Sequence, residues 1–244
     1  MKKNSNLGKE IARWIKVQVK QAKAKGIVLG LSGGIDSACV AVLSKMAVGK
    51  NVLGLIMSCQ SAPEDEEYAY LLAEKFNIKT ERVALDSVYD SFLRILPSGN
   101  KLMLSNLKPR LRMVALYAFA NKYNYLVAGT GNKSELTVGY FTKYGDGGVD
   151  LLPLGDLLKT RVRKLAKELN IPDEIIQRVP SAGLWKGQTD EGELGISYEN
   201  LDKAIAAIEK KTKVKVASGI IGKVRRLNLA SEHKRLSIPI FKRR

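Results

Sequence analysis

The chain has 244 residues, of which 45% are hydrophobic and 27% charged, and its formal net charge is +17 at pH 7. A chain of this size buries a core without covalent staples, and its composition excludes a disordered protein. Its two cysteines, Cys39 and Cys59, form no CxxC pair, so we expect neither a disulfide framework nor a zinc site. The longest apolar runs, such as 27–31, are too short to span a bilayer and no secretory signal opens the chain, so we expect a cytoplasmic protein without membrane association.

The positive charge is concentrated at the two ends of the chain. Residues 1–25 carry 8 Lys/Arg and 1 acid, residues 203–244 carry 13 and 2, and residues 26–202 carry 20 and 21. Basic ends of this kind suit an anionic ligand, nucleic acid or an acidic partner. They are equally typical of helix faces that are simply solvated.

Helices and strands alternate along the chain. Apolar spacing and Gly/Pro punctuation predict, in chain order, a helix over 5–25, a strand over 27–32, a helix over 35–47, a strand over 51–58, a helix over 63–77, a strand over 79–85, helices over 86–96 and 105–124, a strand over 125–130, a strand or extended chain over 149–154, and helices over 156–169, 197–211 and 216–231. This alternation indicates one α/β domain over 1–244, with a Rossmann-like parallel sheet and helices on both faces. The helical segment 1–25 and the basic helical segment 203–244 flank it.

The sequence SGGIDS at 32–37 is the most informative motif, because it lies between a predicted strand and a predicted helix. Gly33 and Gly34 let backbone N–H groups approach a phosphate, and the helix that follows presents its positive end there. The carboxylate of Asp36 would repel phosphates unless a cation lies between them, which predicts Mg²⁺. The chain has no GxxxxGK[ST], so this is not a Walker A loop.

A second glycine-rich sequence, GTGNKSE at 129–135, also follows a predicted strand. In a parallel sheet, ligands bind beyond the carboxyl ends of the strands. We therefore expect the two glycine-rich segments to share one rim of the sheet.

Several further blocks narrow the class of enzyme. SGGIDS resembles the pyrophosphate loop of the ATP-pyrophosphatase superfamily, whose members cleave ATP to AMP and pyrophosphate. The blocks that resemble ammonia-dependent NAD+ synthetases, in the same order, are 106–113, 129–135, 139–160, 180–198 and 232–235. The block over 141–154 is the most specific, and the resemblance runs from about residue 5 through nearly the whole chain. It implies an adenine nucleotide alpha-hydrolase type of fold.

The resemblance also implies a set of site residues. Asp36 and Glu135 match the magnesium ligands and, with Lys159, form the expected catalytic group. The expected ATP contacts are Gly30, Leu31, Ser32, Gly33, Gly34, Ile35, Asp36, Ser37, Thr130, Lys159 and Ser181. The expected contacts for deamido-NAD, the substrate that carries nicotinic acid, are Arg110, Lys143, Asp150, His233 and Lys234. Relatives often have Asp-His-Ala where this chain has residues 131–134, so no individual role is assigned there.

The implied reaction forms an acyl-adenylate from deamido-NAD and ATP, and ammonia then displaces AMP to give NAD. Mg²⁺, Lys159 and Lys186 would reduce the repulsion between the anions. Asp150 could orient or deprotonate ammonium, and the polar segment 181–197 is expected to close over the adenylate. No glutamine-hydrolysing region is recognised, so ammonia would arrive free or from a partner. Relatives are homodimers with the dinucleotide site at the interface, and the helices over 5–25 and 105–124 are candidate dimer surfaces.

Two alternatives stay open at the level of sequence. One is a tRNA-modifying member of the same superfamily, such as a lysidine synthetase or a thiolase, which would explain the basic ends. The other is a basic nucleic-acid-binding protein. No finger, RNA-recognition or homeodomain signature is present, so we do not expect nucleic acid as a partner.

Overall fold

The computed structural model describes residues 7–185, 187–209 and 216–243. Its strands are β1 (Gly26–Gly30), β2 (Val52–Ile56), β3 (Lys79–Arg82) and β4 (Tyr125–Val127). Its helices are α1 (Leu7–Gln21), α2 (Ile35–Val48), α3 (Pro63–Lys75), α4 (Asp86–Ile95), α5 (Lys101–Tyr123), α6 (Lys133–Val138), α7 (Lys159–Glu168), α8 (Asp173–Ile176), α9 (Asp190–Leu194), α10 (Tyr198–Ile208) and α11 (Ser218–Ala230), followed by a 3₁₀ turn at Glu232–Lys234.

The four strands form one parallel sheet in the order β3-β2-β1-β4. Val28 of β1 lies opposite Leu53 of β2 on one side and Val127 of β4 on the other. The predicted parallel sheet is therefore confirmed. The predicted strand or extended chain over 149–154 contributes only an isolated bridge between Leu151 and Ala128 among the described residues.

Helices cover both faces of the sheet, because residues of β1 alternate between two apolar clusters. Ile27 and Leu29 face the cluster that includes α1, α2 and α7. Val28 faces the cluster that α5 completes on the opposite side. A third cluster joins α6 to α10 and α11, with Tyr198 fully buried in it. The carboxyl-terminal helices thus form a layer packed beside the sheet rather than on it.

Several predicted boundaries were wrong. The helix α5 begins at Lys101 rather than 105, because the side chain of Asn100 accepts a hydrogen bond from the backbone N–H of Met103 and caps the helix. Pro109 lies inside this helix. The helix predicted from 156 begins at Lys159, and the short helices α6, α8 and α9 were not predicted. Parts of the basic ends, residues 1–6, 210–215 and 244, lie outside the described residues.

No helix within the described ranges is long and apolar enough to cross a membrane. The carboxyl ends of two adjacent strands, β1 and the edge strand β4, form one rim of the sheet. The chain leaves β1 at Gly30 and enters α2 at Ile35, and it leaves β4 at Val127 and enters α6 at Lys133. Because β1 and β4 are adjacent and parallel, both glycine-rich segments reach the same rim, as predicted.

Candidate active site

The loop between β1 and α2 is held in a tight conformation by its serines. The hydroxyl of Ser37 donates to the carbonyl of Gly34 at 2.9 Å and accepts from the hydroxyl of Ser32 at 3.1 Å. Gly33 adopts φ +70°, and a Cβ there would lie 2.6 Å from the carbonyl oxygen of Asp65. A side chain at this position is therefore excluded by both conformation and space.

The second rim segment is organised by a capping box. The side chain of Asn132 accepts from the backbone N–H of Glu135, and the Glu135 carboxylate accepts from the N–H of Asn132, each at 3.1 Å. The amide of Asn132 also donates to Oδ1 of Asp36 at 3.0 Å. The sequence assigned no role to 131–134, although the Asn-x-x-Glu spacing is a recognisable capping signal.

Lys159 connects the two rim segments. Its Nζ pairs with Oδ2 of Asp36 and lies 3.2 Å from Oε1 of Glu135. The lysine is only 2% exposed, and its backbone N–H donates to the hydroxyl of Ser134 at the start of α7. The three residues expected to be catalytic, which lie in the first turns of three separate helices, therefore meet at one point.

Burial and charge act against each other in this group. Burial alone would lower the pKa of Lys159, but the carboxylates of Asp36 and Glu135 outweigh it and raise that pKa. Burial raises the pKa of Glu135 above its ordinary range, although the Lys159 ammonium opposes the shift. Lys159 is therefore a cation at neutral pH, and it stabilises two carboxylates that would otherwise repel each other.

The same two carboxylates suit a magnesium ion. They converge on one cationic atom, and carboxylate oxygens are the donors that Mg²⁺ prefers. The described residues contain no group of three or more His, Cys, Asp or Glu that could hold a metal. Mg²⁺ typically binds through one or two carboxylates together with substrate phosphates and water. The donor set therefore fits a metal that arrives with ATP rather than one held by the protein alone.

Two further residues extend the group and were not predicted from the sequence. The hydroxyl of Tyr198 lies 3.2 Å from Oε1 of Glu135 and 2.9 Å from Oδ2 of Asp190. Asp190 is 4% exposed, and its Oδ1 has no hydrogen-bond partner among the described residues. Burial raises the pKa of Asp190, while the Lys159 ammonium opposes that shift. Tyr198 thus links the metal-ligand candidate Glu135 to the first residue of α9.

A cavity of about 1010 Å³ opens at the rim between the sheet, α5 and the segment that precedes α9. A cavity of this size accommodates a nucleotide. Its walls contain ten of the eleven expected ATP contacts together with Glu135: Gly30, Leu31, Ser32, Gly34, Ile35, Asp36, Ser37, Thr130, Lys159 and Ser181. Gly33 is the exception among the expected contacts, and its carbonyl accepts a hydrogen bond from Nη1 of Arg178 at 3.1 Å.

One side of the cavity is lined by residues 179–185, 187 and 188, here called the lid segment. The buried ammonium of Lys108 donates to the carbonyl of Leu184 at 2.9 Å, and Nζ of Lys101 lies 3.9 Å from the ring centroid of Trp185. Both lysines belong to α5, so this helix holds the lid segment. Lys186, expected near the phosphates, lies outside the described residues.

The five residues expected to bind deamido-NAD do not converge in the same way. Lys234 lines the cavity and donates to the carbonyls of Gly139 and Phe141 at 2.7 and 2.8 Å. Lys143 donates to the carbonyl of His233 at 2.6 Å. The side chains of Arg110 and His233 are exposed.

Asp150 is occupied by contacts within the fold. It accepts from the hydroxyl of Tyr117 at 2.9 Å and from the backbone N–H of Val127 at 2.8 Å. Hydrogen bonding to Asp150 adds to burial in raising the pKa of Tyr117 to about 12. The position of Asp150 beside β4 gives no support to the expectation that it handles ammonium.

A third missed residue is Arg112, which lines the cavity on α5 two residues after Arg110. Its Nε donates to the carbonyl of Met57 at 3.2 Å, and its Nη2 donates to the hydroxyl of Ser61 at 3.1 Å. It therefore fixes the chain just after β2, on the wall of the cavity. No motif distinguishes it in sequence from the exposed arginine beside it.

Comparison with known proteins places these features in a family. Residues 7–238 match the family model described as NAD synthase. The NH(3)-dependent NAD(+) synthetase of Carboxydothermus hydrogenoformans is 46% identical over 231 residues, covering 93% of both chains. The enzyme of the same name from Methanococcus aeolicus is 53% identical over 210 residues, covering 84% of this chain and 83% of its own.

Solved structures agree with these relatives. NMN synthetase from Francisella tularensis superposes with a TM-score of 0.89 at 35% identity, covering 96% of this chain and 97% of its own. The NH3-dependent NAD synthetase from Campylobacter jejuni, in complex with the nitrate ion, gives 0.85 at 31% identity, covering 97% and 98%. The resemblance drawn from the sequence motifs is confirmed, and neither the tRNA-modifying nor the nucleic-acid-binding alternative gains support.

Proposed function

We infer the function from one premise: the chain belongs to the NAD synthase family. It is an ATP-consuming ligase that converts deamido-NAD, ATP and ammonia to NAD, AMP and pyrophosphate. The observation that carries this proposal is the meeting of Asp36, Glu135 and Lys159 at the rim that the glycine-rich loop also lines. When one anion attacks another, cations held at the reaction centre reduce the repulsion between them.

The first chemical step joins two anions. The carboxylate of the nicotinic acid attacks the α-phosphorus of ATP, the bond to the β-phosphate breaks, and pyrophosphate leaves. Lys159 supplies a fixed ammonium beside this centre, and its two carboxylate partners are held by Asn132 and Tyr198. Mg²⁺, bound by Asp36 and Glu135, would add charge that neutralises the phosphates and the leaving pyrophosphate. Lys159 and such a cation compete for the same two carboxylates.

The second step replaces AMP by ammonia. Ammonia attacks the carbonyl carbon of the mixed anhydride, the bond to the AMP oxygen breaks, and an amide forms. Water would destroy the same intermediate, so the site must exclude it. The lid segment, held over the cavity by Lys108 and Lys101, serves that purpose.

The working unit in this proposal is a homodimer with a dinucleotide site shared between subunits. The exposed positions of Arg110 and His233 support it, because they leave these side chains available to a second copy. The α5 helix that carries Arg110 also exposes large apolar side chains: Leu102 is 61% and Val114 60% exposed. Apolar surface beside a charged ligand site favours association.

A mononucleotide substrate is the second candidate. The solved NMN synthetase superposes with a higher TM-score and identity than the solved NH3-dependent NAD synthetase, 0.89 and 35% against 0.85 and 31%. The chemistry at Asp36, Glu135 and Lys159 would be the same for nicotinate mononucleotide. Comparing kcat/KM for this substrate and for deamido-NAD decides between them, and we expect the dinucleotide to be favoured.

The proposal is tested by omitting one component at a time. The purified protein with deamido-NAD, ATP, Mg²⁺ and ammonium should form NAD, measured by an NAD-specific dehydrogenase reaction. Omission of ATP, of ammonium or of Mg²⁺ should each abolish it. NAD formed at the full rate without ATP or without ammonium would exclude the proposed reaction, and full activity with EDTA would exclude the metal.

A further inference from the structure

The cavity wall contains an arginine that no motif assigns, and this arginine contacts the nucleotide loop. Arg178 donates through Nη1 to the carbonyl of Gly33 at 3.1 Å and through Nη2 to Oδ1 of Asp65 at 2.7 Å. Its guanidinium carbon lies 4.7 Å from the ring centroid of Tyr68. One side chain therefore joins the loop after β1, the first turns of α3 and the base of the lid segment.

The packing around Gly33 is built for this contact. A Cβ at Gly33 would lie 2.6 Å from the carbonyl oxygen of Asp65 and 3.0 Å from Nη1 of Arg178. The side chains of Arg178 and Asp65 are 27% and 24% exposed, so the pair is largely shielded from water. A guanidinium in such a setting holds two acceptors at once in fixed directions, which an ammonium does not.

The consequence for the loop follows from peptide geometry. The carbonyl of Gly33 and the N–H of Gly34 belong to one planar trans peptide, so they point in opposite directions. Holding the carbonyl towards Arg178 holds the Gly34 N–H away from it, on the side of Ser32, whose hydroxyl accepts it at a long 3.3 Å. Both Ser32 and Gly34 line the cavity. A weakly used N–H fixed in this direction is a ready donor to a phosphate oxygen.

Charge also favours this arrangement. The first turn of α3 carries Glu64, Asp65 and Glu66, and all three line the cavity that would hold the phosphates. Arg178 neutralises Asp65, the member of this group nearest to Gly33.

We propose that Arg178 is a positioning residue for the phosphates of ATP: it fixes the Gly33–Gly34 peptide and couples the nucleotide loop to the base of the lid segment. The proposal rests on the proposed function, since it assumes that the loop holds ATP. Arg178 acts through the backbone of the loop, so its contribution exists before ATP binds.

The test compares Arg178→Ala and Arg178→Lys with wild type and with Arg161→Ala. Arg161 is a matched control, because it makes an ion pair of similar exposure with Glu168 at 2.7 Å and neither residue lines the cavity. Two quantities are measured in each protein: amide hydrogen exchange over 32–37 without nucleotide, and the dissociation constants of ATP and of adenosine by calorimetry. Thermal melting confirms that each variant is folded.

We expect faster exchange over 32–37 and about tenfold weaker ATP binding in Arg178→Ala, the loss typical of a hydrogen bond to a charged group. Adenosine affinity should not change, because adenosine has no phosphate. Arg178→Lys should lie between, and Arg161→Ala should match wild type in both measurements. Unchanged exchange in Arg178→Ala, or an equal loss of ATP and adenosine affinity, would overturn the proposal.

The proposed function can fail separately. If wild type binds no ATP, the ligase proposal is wrong, whereas the exchange measurement still reports whether Arg178 fixes the loop.

Discussion

The two halves of the candidate site differ in how completely one chain builds them. The nucleotide half is finished: Asp36, Glu135 and Lys159 meet within hydrogen-bond distance, and ten of the eleven expected ATP contacts line one cavity. The dinucleotide half is dispersed: Lys234 lines that cavity, while Arg110 and His233 are exposed. The difference teaches that a site formed by the rim of a single sheet is fixed by topology, whereas two of the residues expected in the other half lie on surfaces that one chain leaves exposed.

The largest effect is expected from a substitution in the nucleotide half of the site. Asp36→Ala removes one partner of Lys159 and one candidate metal ligand, so kcat for NAD formation should fall by about 10³-fold, as for the loss of a group that stabilises transition-state charge. Asp156→Ala is the control, because Asp156 also pairs with a lysine, Lys133 at 3.0 Å, but with a side chain that is 90% exposed. Steady-state rates of NAD formation are compared for the two variants. An Asp36→Ala protein with full turnover would show that Asp36 is not a metal ligand that the reaction needs.

The second effect is on stability. Lys159→Met leaves two largely buried carboxylates without their cation, which should lower the free energy of unfolding by about 3–5 kcal/mol. Added Mg²⁺ should restore part of the loss, since it can take the place of the ammonium between Asp36 and Glu135. Urea denaturation with and without Mg²⁺ measures both quantities.

Lys203→Met provides the comparison for that experiment, because Lys203 pairs with Glu199 at 2.7 Å on an exposed helix face. Its unfolding free energy should change by less than about 1 kcal/mol. If Lys159→Met were as stable as Lys203→Met, loss of the Lys159 ammonium would not destabilise the two buried carboxylates, and the prediction would be wrong.

The third effect concerns the dispersed half. Arg110→Ala should raise KM for deamido-NAD by about tenfold or more, as expected for a lost charged hydrogen bond, without changing ATP affinity. If Arg110 serves the cavity of a second copy, mixing Arg110→Ala with Asp36→Ala subunits should recover activity at low deamido-NAD concentration. One site of each mixed dimer then carries both changes and the other carries neither.

A cavity served by its own Arg110 would behave differently. Every site of the mixed dimer would then carry one substitution, and mixing would give no gain over the separate variants. That result would contradict the shared dinucleotide site.

The smallest expected effect concerns the hydrogen bond from Tyr198 that holds Glu135 in place. Tyr198→Phe removes the hydroxyl that lies between Glu135 and Asp190, and a hydrogen bond of about 1 kcal/mol corresponds to about fivefold in Mg²⁺ affinity. The activation constant for Mg²⁺ should rise by that factor while kcat at saturating Mg²⁺ stays near wild type. Tyr123→Phe, which alters a ring tilted against Tyr125 at the amino end of β4, should leave that constant unchanged.

The nucleotide half of the site can be predicted from the sequence because short sequence patterns determine it. A strand, a glycine-rich turn and a helix start at 30–37 and again near 129–135 determine which side chains reach the rim, and parallel topology brings the two turns together. Asn132 could have been found by its capping spacing. Tyr198 and Arg178 could not, because their contacts with Glu135 and Gly33 join residues 63 and 145 positions apart through packing that no local pattern specifies. Asp190 joins the group through its hydrogen bond with Tyr198.

Most of the charge in the basic ends is not used by the site; among the described residues of these ends, Lys234 lines the cavity. Residues 210–215, within the predicted basic segment, lie outside the described residues, whereas α1 and α11 expose lysines and arginines around apolar cores. Solvated helix faces account for these exposed side chains, whereas Lys223, Lys234 and Arg235 donate to backbone carbonyls.

The most direct test of the account is the identity of the bond broken in ATP. Phosphorus NMR of a reaction with deamido-NAD, ATP, Mg²⁺ and ammonium should show AMP and pyrophosphate appearing in equal amounts with NAD, because the attack is at the α-phosphorus. Formation of ADP and inorganic phosphate in step with NAD would contradict it.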